Sequence, residues 1–91
     1  MKEIECHIGG KVQGVLFRKF VQKRARELDI VGFIQNVDDG TVEVVAQGEE
    51  EQLLEFIEHL KKGPVFAKVE KVDVKWQSGL QDSMTDFTIE D

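Results

Sequence analysis

The apolar residues change their period between Ile8 and Phe17, and that change dictates how the chain begins. Ile4, Cys6 and Ile8 alternate with Glu5 and His7, as in a strand with one buried face. Beyond Gly9-Gly10-Lys11-Val12-Gln13-Gly14, the residues Phe17, Val21, Ala25 and Leu28 recur at three- or four-residue spacing, and Phe20 widens their stripe. This pattern predicts a helix from about Arg18 to Leu28. A strand therefore passes into a helix through a segment rich in glycine.

The same reading extends to the end of the chain. Ile30 to Val37 is β-branched and aromatic, and Thr41 to Gln47 places Val42, Val44 and Ala46 on one side. Two strands therefore flank Asp38-Asp39-Gly40 as a hairpin. Glu49-Glu50-Glu51 suits a helix start, where carboxylates meet the positive end of the backbone dipole. Leu53, Ile57 and Leu60 give that helix its buried stripe, Leu54 and Phe56 broaden it, and His59, Lys61, Lys62, Gly63 and Pro64 supply the stop. Val69 to Trp76 alternates again, a polar turn is expected at Gln77 to Ser83, and Thr85 to Glu90 closes the chain with Phe87 and Ile89 on one side. The order predicts an α+β fold, a ferredoxin-like βαββαβ sandwich with two helices on one face of a mostly antiparallel sheet and a short C-terminal strand. The other face is expected to carry Glu5, His7, Glu43, Gln47, Lys71, Asp73 and Lys75 toward water.

At 91 residues the chain is long enough for one core, and residues 1–91 read as a single domain. No apolar run approaches the ~20 residues of a membrane span, and no signal peptide is legible after Met1, so a cytoplasmic location and no membrane partner are expected. The lone Cys6 reads as a small hydrophobe on a strand. A net charge of -6 argues against broad nucleic-acid binding. The central strands offer Glu5, His7, Glu43 and Val45 where an RNA-binding sheet would present aromatic residues. Lys11 to Arg26 nevertheless contains basic residues and no acidic one, whereas Asp38 to Glu58 is the reverse. Such a local basic region suits one small anion, although Lys19, Lys23, Arg24 and Arg26 also read as a solvated helix face.

In this topology the first two strands run parallel with the hairpin's return strand between them, so their C-terminal ends share one edge. The segment Gly10 to Arg18 and the strand-end residue Asn36 then face a common crevice. Gly14, with Gly10 as a second candidate, can adopt backbone angles that curl successive N–H groups toward one point. The helix start behind them adds unsatisfied amides, and Arg18 adds a planar fork of donors for phosphate oxygens. The loop lacks the lysine-serine or lysine-threonine ending of a nucleotide P-loop. Asn36 reads in two ways, as an amide that aims a water or as a residue that merely ends a strand. No serine-histidine-aspartate set, no catalytic carboxylate pair and no cluster of Cys, His and acidic ligands is legible.

On these residues the chain resembles the acylphosphatase family along nearly its whole length. One motif runs Ile8-Gly9-Gly10-Lys11-Val12-Gln13-Gly14-Val15-Leu16-Phe17-Arg18; a second runs Gly32-Phe33-Ile34-Gln35-Asn36-Val37-Asp38-Asp39-Gly40-Thr41-Val42, followed by Gly48. Lys62-Gly63-Pro64 and Phe87-Thr88-Ile89 look like later landmarks of the family. The resemblance implies hydrolysis of the carboxylate–phosphate anhydride of a small acyl phosphate by a monomer, with no cofactor and no metal. It places the phosphoryl group on the loop residues Val12, Gln13, Gly14, Val15, Leu16 and Phe17 and on Arg18, with Arg18 and Asn36 as the catalytic pair. Phe33, Ile34 and Asp29 depart from the family's usual residues, and none of them touches that pair.

Overall fold

The computed structural model describes residues 1–14, 16–77 and 83–91. Seven elements follow in order: β1 (Lys2–Lys11), α1 (Phe17–Glu27), β2 (Val31–Asn36), β3 (Val42–Gly48), α2 (Glu50–Lys62), β4 (Lys68–Gln77) and β5 (Phe87–Glu90). They match the expected order. The strands form one sheet in the order β4-β1-β3-β2-β5. Antiparallel pairing joins β1 to β3, β1 to β4 and β2 to β3, while β5 runs parallel to β2. This is the ferredoxin-like βαββαβ sandwich, closed by a short strand. Most of the expected turn at Gln77 to Ser83 lies outside the described residues.

Ile4, Cys6 and Ile8 of β1 and Val42, Val44 and Ala46 of β3 are buried beneath the helices, as their alternation requires. Val21 and Ala25 of α1 and Leu53, Phe56, Ile57 and Leu60 of α2 close the same core. Each large apolar side chain so buried contributes roughly 1.5–3 kcal/mol, and Phe87 adds an edge-to-face contact with Phe56 at 5.9 Å between centroids. The first helix ends in a Schellman arrangement: Ile30 N–H donates to the Ala25 carbonyl at 2.9 Å and Asp29 N–H to that of Arg26 at 3.2 Å. Asp29 takes the left-handed position usually given to glycine, at φ 57°.

The outer face departs from expectation. Gln47 does not face water: it is 1 % exposed, beside the fully buried Glu3, and its Nε2 donates to Glu3 Oε1 at 2.9 Å. The two residues are partners in the β1–β3 register, so each meets the other's polar group. Val45 on the same face is also buried.

Candidate active site

Because β3 lies between β1 and β2 and is antiparallel to both, the C-terminal ends of β1 and β2 emerge at one edge. The strand β1 continues to Lys11, so the connecting loop is shorter than Gly10 to Arg18. Gly10 serves that strand and not the loop. It stands at a register shift between β1 and β4 with φ 124°, and a Cβ there would lie 2.1 Å from the Lys68 carbonyl oxygen. Its lack of a side chain answers a close backbone approach.

Past β1, Gly14 has φ 73° and Leu16 has φ 63°. A left-handed leucine costs about 1–2 kcal/mol, and such strain persists only where the surroundings impose it. Leu16 caps α1 without a side-chain hydrogen bond, and no acidic residue occupies the first turn. The first intrahelical bond runs from Phe20 N–H to the Leu16 carbonyl at 3.1 Å, which leaves the amides of Phe17, Arg18 and Lys19 without an intrahelical acceptor. An uncapped positive helix end thus sits beside two cationic side chains.

Arg18 and Asn36 meet here. Both line a cavity of about 280 Å³ whose walls also include Val12, Gly14, Leu16 and Phe17. That is several times the ~30 Å³ share of one water, which leaves room for a tetrahedral anion and a water beside it. The Arg18 fork is not free to swing: its Nη1 donates to the Glu90 carbonyl at 3.1 Å and lies 3.8 Å from Asp91 Oδ1. The other guanidinium donors remain for a ligand. Asn36 is exposed at the end of β2, and its side-chain amide makes no hydrogen bond to another described residue. The lining contains no carboxylate or imidazole among the described residues.

Of the loop residues expected to hold phosphate, Val12, Gly14, Leu16 and Phe17 line the cavity and Gln13 does not. Gln13 instead turns its side chain to the hairpin, where Nε2 donates to the carbonyls of Val37 at 2.9 Å and Thr41 at 2.8 Å. Val15 lies outside the described residues. Two lining residues escaped the sequence reading. Lys19, which the sequence places on a solvated helix face, and Ile89, which it places only on the closing strand, both line the cavity. Arg24 and Arg26 do belong to that outer face, paired with Glu27 at 2.5 Å and with Asp86 at 2.9 Å. A cluster that the sequence did not disclose also forms away from the cavity, among Glu5, His7 and Glu43.

The residue pattern that defines the acylphosphatase family matches residues 4–89. The chain belongs to the acylphosphatase family. Acylphosphatases of Methanococcoides burtonii and Thermus thermophilus are each 47 % identical to it; the first match covers 93 % of this chain and 88 % of the relative, the second 89 % and 94 %. The crystal structure of acylphosphatase from Bacillus subtilis superposes with a TM-score of 0.95 at 38 % identity, covering 99 % of both chains. The chain is accordingly an enzyme of this family, and no described helix is long and apolar enough to cross a membrane.

Proposed function

We propose that the chain hydrolyses acyl phosphates at the cavity between the β1–α1 loop and the end of β2. The observation that carries this reading is the meeting of Arg18 and Asn36 at an uncapped helix start. The phosphoryl group rests on the amides of Val12 to Phe17 and on the Arg18 fork, with Lys19 adding positive charge. The Asn36 carbonyl oxygen accepts a hydrogen bond from a water and aims its oxygen at phosphorus.

Asn36 is too weak a base to remove a proton, and the chemistry does not ask it to. The water oxygen forms a bond to phosphorus while the bond from phosphorus to the acyl oxygen breaks, and its electron pair leaves with the carboxylate. The water's proton passes to a phosphoryl oxygen. A loose transition state needs position and charge stabilisation more than a base, and the carboxylate is already a stable leaving group. On this reading residues 1–91 act as one catalytic domain, a cytoplasmic monomer whose partner is a small acyl phosphate, with no cofactor, metal or nucleic acid in the reaction.

Release of inorganic phosphate from a small acyl phosphate, set beside release from a phosphate monoester, tests the proposal. Turnover of the anhydride with almost none of the monoester is expected. Equal rates on both, or no rate on either, would overturn it.

A further inference from the structure

On the sheet face opposite the helices, β1 and β3 bring three metal-binding side chains together. Glu5 and His7 lie two residues apart on β1 and so share that face, while Glu43 on β3 is the cross-strand partner of His7. One donor atom from each lies within 4.8 Å of the others. His7 Nε2 is 3.5 Å from Glu43 Oε2. Both carboxylates are braced from neighbouring strands, Glu43 by Gln35 Nε2 at 2.6 Å and Glu5 by Gln77 Nε2 at 3.5 Å.

We propose that Glu5, His7 and Glu43 bind a divalent cation of the zinc type. One imidazole and two carboxylates form a donor set that zinc accepts, with water completing the shell. Bonds of about 2.0–2.2 Å to one tetrahedral centre set donors roughly 3.5 Å apart, so these three need only small rotations to close on an ion. The glutamine amides supply the outer hydrogen bonds that fix a carboxylate's orientation, and such groups contribute to metal affinity in their own right. Glu5 and Glu43 are half-buried while His7 is exposed, which leaves the position open to solvent for loading. Two carboxylates this close repel each other, and a cation between them replaces that repulsion with attraction. Asp73, across from His7 on β4, is turned to Lys71 at 3.5 Å and lies outside the donor set. None of the three ligands lines the cavity that holds Arg18 and Asn36, so the ion ties β1 to β3 without entering the hydrolytic site.

The test titrates Zn²⁺ alone into the full chain by calorimetry, with the imidazole resonances followed by NMR. One saturable equivalent is expected, with the His7 ring shifted and a raised unfolding temperature. His7→Gln and Glu43→Gln should each weaken binding at least about tenfold. His59→Gln should leave it unchanged, although His59 lies 3.9 Å from Glu55 on α2 and offers a rival pair. Absence of saturable binding, retained affinity in either His7→Gln or Glu43→Gln, or loss of binding in His59→Gln would overturn the assignment.

Discussion

The side-chain amide of Gln13 donates to the carbonyl oxygen of Val37 at 2.9 Å, so the loop after β1 is held by the residue that follows Asn36. A second bond, to the Thr41 carbonyl at 2.8 Å, extends the tie to the start of β3. The loop after β1 and the strand end that carries Asn36 are therefore positioned against each other by one glutamine.

Replacing Gln13 separates two physical effects. In Gln13→Ala both carbonyls keep a backbone partner, from Gly40 N–H at 3.0 Å and Val37 N–H at 2.9 Å, so the expected loss is only about 1 kcal/mol. Gln13→Glu aims a carboxylate at two carbonyl oxygens and should cost more, about 2–3 kcal/mol, despite its closer shape. Urea unfolding of the two variants checks the order; a glutamate variant more stable than the alanine variant would remove the tie.

Two glycines with positive φ should respond differently to alanine. At Gly14, φ 73°, no atom lies within 4 Å of an added Cβ, so Gly14→Ala should cost about 1 kcal/mol of stability and mainly disturb the cavity wall and turnover. At Gly32, φ 147°, the added Cβ would lie 1.9 Å from the Val45 carbonyl oxygen, and displacing β2 from β3 should cost about 3 kcal/mol or more. Thermal unfolding and the rate per folded molecule, measured on both variants, distinguish the two outcomes.

Acid should loosen the attachment of β5 to α1. The Arg26 guanidinium donates to both Asp86 oxygens, at 3.1 and 2.9 Å, and with the Phe87 N–H it lowers the Asp86 pKa from its ordinary 3.8. A depressed carboxylate contributes stability that is present above its unfolded value and is lost as pH falls through the folded one. The contribution of Asp86 should therefore persist above pH 3.8 and disappear below it. Asp86→Asn should be less stable than the parent above that pH and approach it below, as read from unfolding midpoints on either side; a constant difference across the range would contradict the assignment.

The sequence carried the element order because period two and period 3.6 are written in single runs of residues, and Ile4-Cys6-Ile8 against Phe17-Val21-Ala25 leaves little ambiguity. The nearness of Arg18 to Asn36 followed from topology, since parallel β1 and β2 deliver both to one edge. What escaped was cross-strand. Gly10 could not be assigned to a bulge before its partner near Lys68 was known, and the burial of Gln47 depends on Glu3 standing opposite it. The Glu5–His7–Glu43 cluster has the same origin, because no spacing along one segment reveals a partner in the neighbouring strand. The side-chain directions of Gln13 and Lys19 are hidden for a different reason: loop side chains and first-turn helix residues choose their direction from local backbone geometry that hydropathy does not encode.

The most direct measurement is steady-state hydrolysis by Asn36→Ala, with inhibition by inorganic phosphate and urea unfolding on the same preparation. Removing one oriented transition-state contact typically costs ~10²-fold or more in rate. Asn36→Ala should show that loss in kcat while inorganic phosphate inhibits it as it does the parent, whereas Arg18→Ala should lose both turnover and phosphate affinity. A folded Asn36→Ala protein that turns over acyl phosphate at the parental rate would contradict the proposed role of Asn36 in aiming the water.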